Sequence, residues 1–426
     1  MLICKEYPSL DERVWKGRTG AGLRVRVIPK PGFAKTYAFL AADYGSMDLS
    51  FVSEGVRKET PLGVAHYLEH KMFDLPDRDA TQLFSQYGGN PNAFTSYDTT
   101  AYYVEFTDHL AENLQLLLDM VFTPWFTEES VEKERGIIAQ EIRMYDDSAD
   151  SRVFENLFSA LYQFHPIRHS IAGTVESIAQ ITPQTLYDCH AAYYTPENMI
   201  LCVVGDVDPE LVFRLADDVK PGKPAVTSRD YGPQETMSAH HSFVECTMEV
   251  SMPVFALGFK TEPAGTGRET MLQDLLGDLA AEVLVGESSM LYAELYRKGI
   301  IDAGFSCGYE SVRGAGLISA SGDSEDPRAV LDAILSEAER IRREGMDLEL
   351  FHRLKRSMLG RWIRGLDSFE SICYRTCAYE FDNMDYFEFL DVFRDVTPEQ
   401  VAAFLDKTVR ESRAALSVVW PKDQEV

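Results

Sequence analysis

Two segments of this chain, separated by about half of its length, look like copies of one unit, and this repeat constrains the fold more than any other feature. The segment ITPQTLYDCHAAYYTPENMILCVVG begins at Ile181 and aligns without gaps with VTPEQVAAFLDKTVRESRAALSVVW, which begins at Val396. Each segment predicts a helix that begins at Thr-Pro and is followed by an apolar strand. The offset is 396 − 181 = 215 residues in a chain of 426. A duplicated domain explains this more economically than two unrelated units that look alike by chance.

The length and one central segment agree with two domains. A chain of 426 residues is too long for a single core and suits two domains of about 200 residues each. Residues 218–236, DVKPGKPAVTSRDYGPQET, are rich in proline, glycine and charge, which predicts a linker. We therefore expect an α+β fold with tandem homologous domains at 1–217 and 237–426, each a mostly antiparallel sheet packed with helices.

Three stretches of the first half have clear local patterns. Residues 22–45 place two strand-like runs on either side of a Pro/Gly turn, which predicts a β-hairpin. Residues 77–87 predict a helix that ends at Gly88 and Gly89. Residues 92–106 alternate, are rich in β-branched and aromatic residues and contain no proline, which predicts one strand.

The pentapeptide HYLEH, which begins at His66, carries the strongest chemical signal. On a helix, His66 and His70 lie one turn apart and project from the same side, so that both can bind one metal ion. Glu69 lies near that side, where its carboxylate can reach a water on the metal and act as a general base. Thr60 is expected to cap this helix, with Pro61 in its first turn. The alternative is a pair of surface histidines on an acidic helix.

A third metal ligand is available in a later helical stretch. A tetrahedral catalytic zinc takes three protein ligands and keeps one open position. In ESVEKERGIIAQEIRMYDD, Glu134 and Glu141 are seven residues apart, two helical turns, and face the same way. By spacing alone, either could meet the histidines, or both could be solvated members of a charged helix face. Five other histidines have no partner at ligand spacing on a clear helix face and are expected at the surface: His109, His165, His169, His240 and His241.

These motifs together resemble a known family. GVAHYLEH, GGNPNAFTSYDTTAYYVEF and VEKERGIIAQEI are similar to motifs of the pitrilysin, insulinase and mitochondrial processing peptidase family, the inverzincins with the metal motif HxxEH. The resemblance, to the small two-domain bacterial-type branch, implies a zinc metalloendopeptidase. It implies that His66, His70 and Glu141 bind zinc, that Glu69 is the catalytic base, and that Glu134 is a supporting catalytic carboxylate.

The resemblance also implies how the substrate binds. In the family, the strand that matches residues 92–106 is an edge strand beside the metal, and the peptide pairs with it through main-chain hydrogen bonds. Asn92 and Ala93 stand at the matching positions and are expected to bind the substrate. Without the resemblance they would be only the entry to a strand. The expected substrates are short or unfolded peptides inside a chamber built by two subunits.

The second half has no HxxEH motif, so only the first half can hold this metal. In the resembling peptidases, the second half supplies an arginine and a tyrosine that bind the substrate carbonyl, in a pattern like LYxxLRxxxGxxY. In the matching segment here, LYAELYRKGIIDAGF, Tyr296 replaces the arginine and Ala303 replaces the tyrosine. We therefore expect a heterodimer with a paralogous subunit that brings the arginine and tyrosine; the alternative is a homodimer.

A rival function is a catalytically silent scaffold or assembly subunit of the same fold, as some relatives in respiratory complexes are. Such chains usually lose the histidines or the glutamate, all of which are present here. A serine or cysteine hydrolase and a nucleotide-binding protein have little support, because neither GxSxG nor phosphate-loop spacing occurs.

Composition limits partners and location. The net charge of −27 argues against nucleic acid and against an anionic membrane as partners. The segment MLICKEYPSLDERVW carries charges too early for an apolar signal core, and the sequence has no run of 18 apolar residues, so we expect a cytoplasmic protein. Seven scattered cysteines, an odd number, agree with a reducing compartment.

Overall fold

A computed structural model of the chain describes residues 2–76, 78–222 and 226–422. The described strands are β1 (Ile3–Tyr7), β2 (Glu12–Arg18), β3 (Arg24–Pro29), β4 (Thr36–Ala42), β5 (Ser50–Ser53), β6 (Val56–Glu59), β7 (Asn90–Thr95), β8 (Thr100–Phe106), β9 (Met199–Gly205), β10 (Val226–Arg229), β11 (Phe243–Met248), β12 (Val254–Lys260), β13 (Ser306–Val312), β14 (Ala315–Asp323) and β15 (Ala414–Pro421). The described helices are α1 (Val64–Lys71), α2 (Ala80–Gln86), α3 (Leu110–Phe122), α4 (Glu128–Asp146), α5 (Ala149–Leu161), α6 (Val175–Ile178), α7 (Pro183–Tyr193), α8 (Pro209–Asp217), α9 (Arg268–Val285), α10 (Met290–Arg297), α11 (Pro327–Glu344), α12 (Leu348–Arg364), α13 (Phe369–Phe381), α14 (Phe389–Asp395) and α15 (Pro398–Thr408). Short 3₁₀ turns lie at Pro166–Arg168, Pro196–Asn198, Gly365–Asp367, Tyr386–Glu388 and Glu411–Arg413.

Each of two compact units contains a mixed sheet. In unit 1 the strand order is β1-β2-β3-β9-β4-β8-β7, and a small second sheet has the order β10-β5-β6. In unit 2 the order is β11-β15-β12-β14-β13. The pair β3 and β9 is parallel, as is the pair β11 and β15, and every other neighbouring pair in these two large sheets is antiparallel. The strands β3-β9-β4-β8-β7 therefore follow the same plan as β11-β15-β12-β14-β13, which confirms the predicted α+β fold with two related domains.

The repeat detected in the sequence has the same local structure in both copies. α7 and α15 both begin at proline and contain 11 residues. The side chain of Thr182 caps α7 and that of Thr397 caps α15, each within a reciprocal capping box. The strands that follow, β9 and β15, occupy equivalent places in their sheets. The predicted helix-and-strand unit is confirmed in both halves.

One helix from each half of the sequence belongs to the compact unit that is formed mainly by the other half. Unit 1 comprises the chain up to Ile142, Ser170–Tyr231 and Ile363–Phe387; unit 2 comprises the rest of the described chain. As a result α5, from the first half, packs on β12 and β15, while α13, from the second half, packs on β4 and β9. Both helices have 13 residues and precede the repeated unit in their own half. The compact units thus divide the chain differently from the predicted ranges 1–217 and 237–426, which remain a description of the sequence repeat.

The predicted linker, residues 218–236, contains regular structure. Its residues 226–229 form β10, which pairs with β5, while residues 223–225 lie outside the described residues. Farther along, the carboxylate of Glu235 accepts hydrogen bonds from the main-chain nitrogen of Phe164, from that of His165 (2.8 Å) and from Lys260 Nζ (2.8 Å). The surface prediction for His165 is wrong, because its ring is buried and its Nε2 lies 3.1 Å from the Arg313 carbonyl oxygen.

The centre of the large sheet in unit 1 is covered on both faces. Every residue of β4 and β9 is buried. The side chains on one face of β4, such as Leu40, belong to a core with α1, α3 and α7, and α13 also packs on these strands. Burial on two faces explains why the sequence of β9 is an unbroken apolar run instead of an alternating one.

Two local predictions need correction. The strands predicted within 22–45 exist as β3 and β4, but they form no hairpin, because β9 lies between them and pairs with both. The pairing depends on a strand that is distant in sequence, which local patterns do not reveal. The stretch 92–106 is two strands, β7 and β8, joined by a turn in which Ser96 N donates to Thr99 O (2.7 Å). The helix predicted at 77–87 is confirmed as α2, followed by Gly88 with φ of 67°.

None of the helices in the described ranges combines the length and the apolar character that a membrane crossing requires.

Candidate metal centre

Helix α1 begins later than predicted, at Val64. Thr60 does not cap it; its hydroxyl donates instead to the Leu49 carbonyl oxygen (3.1 Å). The residue before the helix is Gly63, with φ of 84°, a left-handed conformation that favours glycine. A Cβ atom built at Gly63 would lie 2.3 Å from the carbonyl oxygen of Ala172. The close approach of these two backbone segments therefore sets where the helix starts.

The histidine-bearing helix is embedded in unit 1. Six of its eight residues are buried, among them His66, which is 8% exposed, and Lys71, which is fully buried. A pair of surface histidines, the alternative considered above, is therefore excluded for this helix. Buried polar side chains need partners, and α4 supplies several of them, although His66 Nδ1 has no hydrogen-bond partner among the described residues.

Two contacts hold the end of α1 against the beginning of α4. The hydroxyl of Tyr67 donates to the Val131 carbonyl oxygen, and Lys71 Nζ donates to the Ser130 carbonyl oxygen (3.3 Å). Lys71 also pairs with Asp74. Sequence reasoning did not single out Tyr67 or Lys71. No sequence signal distinguishes them, because half of the eight residues of α1 are His, Glu or Lys and the sequence does not show which of them are buried.

Both glutamates predicted on α4 reach the histidines, each in a different way. His66 Nε2 lies 3.6 Å from Glu141 Oε1, and His70 Nε2 lies 3.4 Å from Glu141 Oε2. Glu134 Oε1 lies 3.0 Å from the other ring nitrogen of His70, Nδ1. Spacing did not distinguish the two glutamates, whereas in the structure Glu141 faces the Nε2 atoms of both histidines and Glu134 faces Nδ1 of His70.

His66, His70 and Glu141 form a cluster whose geometry fits a metal ion. One donor atom from each lies within 4.8 Å of the others, and among the described residues no second cluster meets this criterion. Metal–ligand bonds of about 2.0–2.2 Å in a tetrahedron place the ligand atoms about 3.3–3.6 Å apart, which matches the distances from the two Nε2 atoms to Glu141. Two imidazoles and one carboxylate are a donor set typical of a catalytic zinc site.

Glu134 is placed to orient His70. A ligating histidine usually donates its other ring N–H to a carboxylate, which fixes the tautomer and the ring orientation. Burial alone would lower the pKa of His70, but Glu134 and Glu141 outweigh burial and raise the pKa to about 10. Burial would raise the pKa of Glu134, but its hydrogen bond to His70 outweighs this effect and lowers the pKa.

Glu69 lies beside the cluster without belonging to it. Burial raises its pKa, partly offset by a hydrogen bond from Thr95 and by the two histidines. Thr95 Oγ1 donates to Glu69 Oε2 at 2.6 Å. Thr95 was not predicted as a site residue, because the stretch 92–106 was expected to be one strand and its turn was not located.

Asn92 and Ala93 lie on β7, which is an edge strand of the seven-stranded sheet, as predicted. Asn92 is exposed and Ala93 is partly buried. The Ala93 N–H donates to the Asn92 side-chain oxygen (2.8 Å) instead of to β8. The Ala93 N–H therefore faces away from β8; substrate binding by Asn92 and Ala93 stays a prediction.

The residues that replace the arginine and tyrosine lie in unit 2. Tyr296, on α10, is 52% exposed, and its ring stacks on that of Tyr292 with a centroid distance of 6.0 Å. Ala303 is exposed on the loop that follows. Neither side chain can supply a cation.

Comparisons with known proteins agree with these motifs. Residues 50–175 match the family model described as Insulinase (Peptidase family M16), and residues 180–358 match the one described as Peptidase M16 inactive domain. YmfH of Bacillus subtilis (strain 168), named an uncharacterized zinc protease, is 37% identical over 423 residues, which are 98% of this chain and 99% of that protein.

Solved structures show the same fold. A crystal structure described as an M16-like peptidase from Alicyclobacillus acidocaldarius has a TM-score of 0.93 and 32% identity, and covers 99% of this chain and 100% of that one. A structure from Pseudomonas fluorescens, described as a peptidase M16 inactive domain, has a TM-score of 0.80 at 18% identity, and covers 96% of this chain and 98% of that one. The second likeness concerns the fold alone.

We expect Gly63→Ala to lower the free energy of unfolding by about 3 kcal/mol or more, because it adds a collision to an unfavourable backbone conformation. Gly32→Ala is the matched control: its φ is 82° and its Cβ would have no neighbour within 4 Å, so that about 1 kcal/mol is expected. Thermal unfolding of both variants measures the difference. Equal losses of stability would show that the Ala172 contact does not constrain the helix start.

We expect Glu134→Gln to weaken zinc binding about 10- to 100-fold, because His70 loses the carboxylate that orients it. Glu129→Gln removes the same charge from an exposed position in the first turn of the same helix and should leave the affinity unchanged. Competition with a chromophoric chelator measures both constants. Wild-type affinity in Glu134→Gln would exclude the orienting role.

Proposed function

Because this chain belongs to the insulinase family, peptidase family M16, we propose that it is a zinc-dependent metalloendopeptidase that hydrolyses short or unfolded peptides and acts as the metal-bearing subunit of a two-subunit chamber. One observation carries the proposal: Glu141 faces both histidine Nε2 atoms at 3.4–3.6 Å while Glu69 stands beside them. A chain that had lost its chemistry would have no reason to keep these four ionisable groups together in a largely buried site.

The roles follow from the geometry. His66, His70 and Glu141 would hold the zinc ion, and Glu134 would orient His70. When bound, the ion supplies Lewis acidity: it polarises the scissile carbonyl group and makes a water molecule acidic near neutral pH. Glu69 takes the proton from the attacking water and later gives it to the leaving amine. Its raised pKa suits a group that must both accept and return a proton.

The edge of β7 supports a binding mode for the peptide. Edge strands present unpaired main-chain groups to which an extended peptide can add as a further strand. We assign this role to the segment that includes Asn92 and Ala93. Main-chain pairing recognises any extended peptide, so the edge of β7 would bind unfolded chains and not folded proteins.

A second subunit is proposed because the chain lacks two side chains. Tyr296 and Ala303 stand where a cation and a tyrosine hydroxyl would bind the substrate carbonyl in the family pattern. A paralogous subunit with that arginine and tyrosine would complete the site, while a homodimer would lack both. The seven cysteines are all free, which fits the reducing cytoplasm that we propose as the compartment.

A catalytically silent scaffold subunit is the second candidate. It has support from the family model of the second half, which is described as an inactive domain. This description concerns residues 180–358, outside the segment that bears the metal cluster. The two candidates make opposite predictions for turnover by the zinc-loaded protein.

We expect Glu69→Gln to keep its zinc and lose at least about 100-fold in turnover, because it removes the general base, whereas His66→Ala loses the metal and the activity together. His109→Asn, a change at an exposed histidine, should alter neither. Zinc content and hydrolysis of an unstructured peptide are measured on the same preparations. Equal loss of zinc in the first two variants, or full activity in Glu69→Gln, would contradict these roles.

We expect the isolated chain to cleave peptides at least about 100-fold more slowly than the chain mixed with its co-purifying paralogue, because donors to the substrate oxyanion are worth about that factor. A partner variant without its arginine should abolish the gain. A homodimer of this chain alone that matches the rate of the pair would refute the two-subunit proposal.

A further inference from the structure

We infer that Thr95 is a positioning residue. Its hydroxyl orients the Glu69 carboxylate, and its main chain pairs with a peptide bound at the edge of β7, so that peptide binding affects this orientation. The inference rests on the proposed function and adds to it a residue that joins substrate binding to the general base.

The first step is the hydrogen bond itself. Thr95 Oγ1 lies 2.6 Å from Glu69 Oε2, a distance typical of a hydroxyl that donates to a carboxylate. Among the described residues, Glu69 Oε1 has no hydrogen-bond partner. One oxygen is therefore held and the other is left to accept a proton. Without the hydroxyl, the carboxylate could rotate about its terminal torsion, which has only a broad preference.

The second step is the direction of the Thr95 side chain. Successive side chains of a strand point to opposite faces. Phe94 packs with Tyr103 and Tyr374 (ring centroids 6.4 and 5.9 Å apart), while Thr95 meets Glu69 of α1 on the other face. The aromatic contacts of Phe94 hold the strand so that the Thr95 hydroxyl points to the metal cluster.

The third step concerns the main chain. The hydrogen bond from Ser96 N to Thr99 O makes these two residues a hydrogen-bonded pair. By the alternation of an antiparallel ladder, Thr95 opposite Thr100 is then a non-hydrogen-bonded pair. The N–H and C=O groups of Thr95 consequently point away from β8, towards the free edge.

The rest of β7 agrees with this register. The same alternation directs the main-chain groups of Ala93 outward, as expected from its hydrogen bond to the Asn92 side chain. It also places Pro91 where a missing N–H costs no hydrogen bond to β8. A peptide added at this edge would therefore pair with the main chain of both Ala93 and Thr95.

In this arrangement, Thr95 contacts both the general base Glu69 and the bound peptide. A peptide that pairs with Thr95 restricts its backbone, and the χ1 angle of a β-branched residue depends strongly on its backbone. The hydroxyl is then held on Glu69 when a substrate occupies the edge. This coupling predicts an effect on the chemical step that is larger than the effect on substrate binding.

The test compares Thr95→Val, which keeps the shape and removes the hydroxyl, with Thr95→Ser, which keeps the hydroxyl. In the active pair of subunits we expect Thr95→Val to lower kcat about 10- to 100-fold, since small misplacements of a catalytic group cost this much. KM should change less than about threefold and zinc content should not change. Thr95→Ser should stay within about threefold of the wild type in kcat.

Ser96→Ala is the matched control. Its hydroxyl serves only the turn after β7, where it contacts Asp98 and the main chain of Thr99. It loosens the same hairpin without touching Glu69, and kcat should stay within about threefold. Wild-type kcat in Thr95→Val, or an equal loss in Thr95→Ser, overturns the inference.

A crystal structure of zinc-loaded Thr95→Val decides the question without activity. The inference expects the Glu69 carboxylate to be rotated or spread over several orientations relative to the wild type, and an unchanged orientation overturns it. If the wild-type pair shows no zinc-dependent hydrolysis, the proposed function fails, while this structural comparison still tests whether Thr95 orients Glu69.

Discussion

Charged side chains can be buried together only where opposite charges or a metal ion compensate for lost water, and the contact between α1 and α4 is built on this constraint. His66 and His70 are carried into unit 1 by a helix that is almost wholly buried. Glu134 and Glu141 reach them from a helix that lies farther along the chain, and the contacting residues are 64 to 75 positions apart. The buried Lys71 bonds to α4 at the end of α1, while the left-handed Gly63 fixes the start of α1 against Ala172.

The parts of the site that lie within one element could be predicted from the sequence. Histidines four residues apart face one way on any helix, and glutamates seven residues apart do the same, so the two halves of the cluster were visible. Which glutamate faces which nitrogen was not, because it depends on how two distant helices pack. The same limit explains the wrong hairpin at 22–45: strand order in a mixed sheet depends on β9, whose sequence is far away.

Residues that support the site were harder to find than the site itself. Thr95 is an ordinary strand residue by composition, and only the position of the turn at Ser96 and Thr99 shows where its side chain and main chain point. Lys71 was not singled out in the sequence, yet it is fully buried. For both residues, the role follows from the surroundings of the side chain in the folded protein and not from the residue type. The two units make the same point at a larger scale: their large sheets share one plan, while within the described residues the metal cluster occurs in unit 1 alone, so chemistry resides in side chains and not in the fold.

The exchange of α5 and α13 bears on how such a chain could have arisen. If the repeats descend from one shorter chain, that ancestor could have covered its sheet in the present manner only as a domain-swapped dimer, in which each copy placed its helix on the sheet of the other. Fusion of the genes would have kept those contacts and made them intramolecular, with a higher effective concentration. Either half cut from the other would leave the apolar face beside β4 and β9, or beside β12 and β15, without its helix. Loss of the metal motif from one copy would then have been tolerated, because that copy was still needed to complete the other.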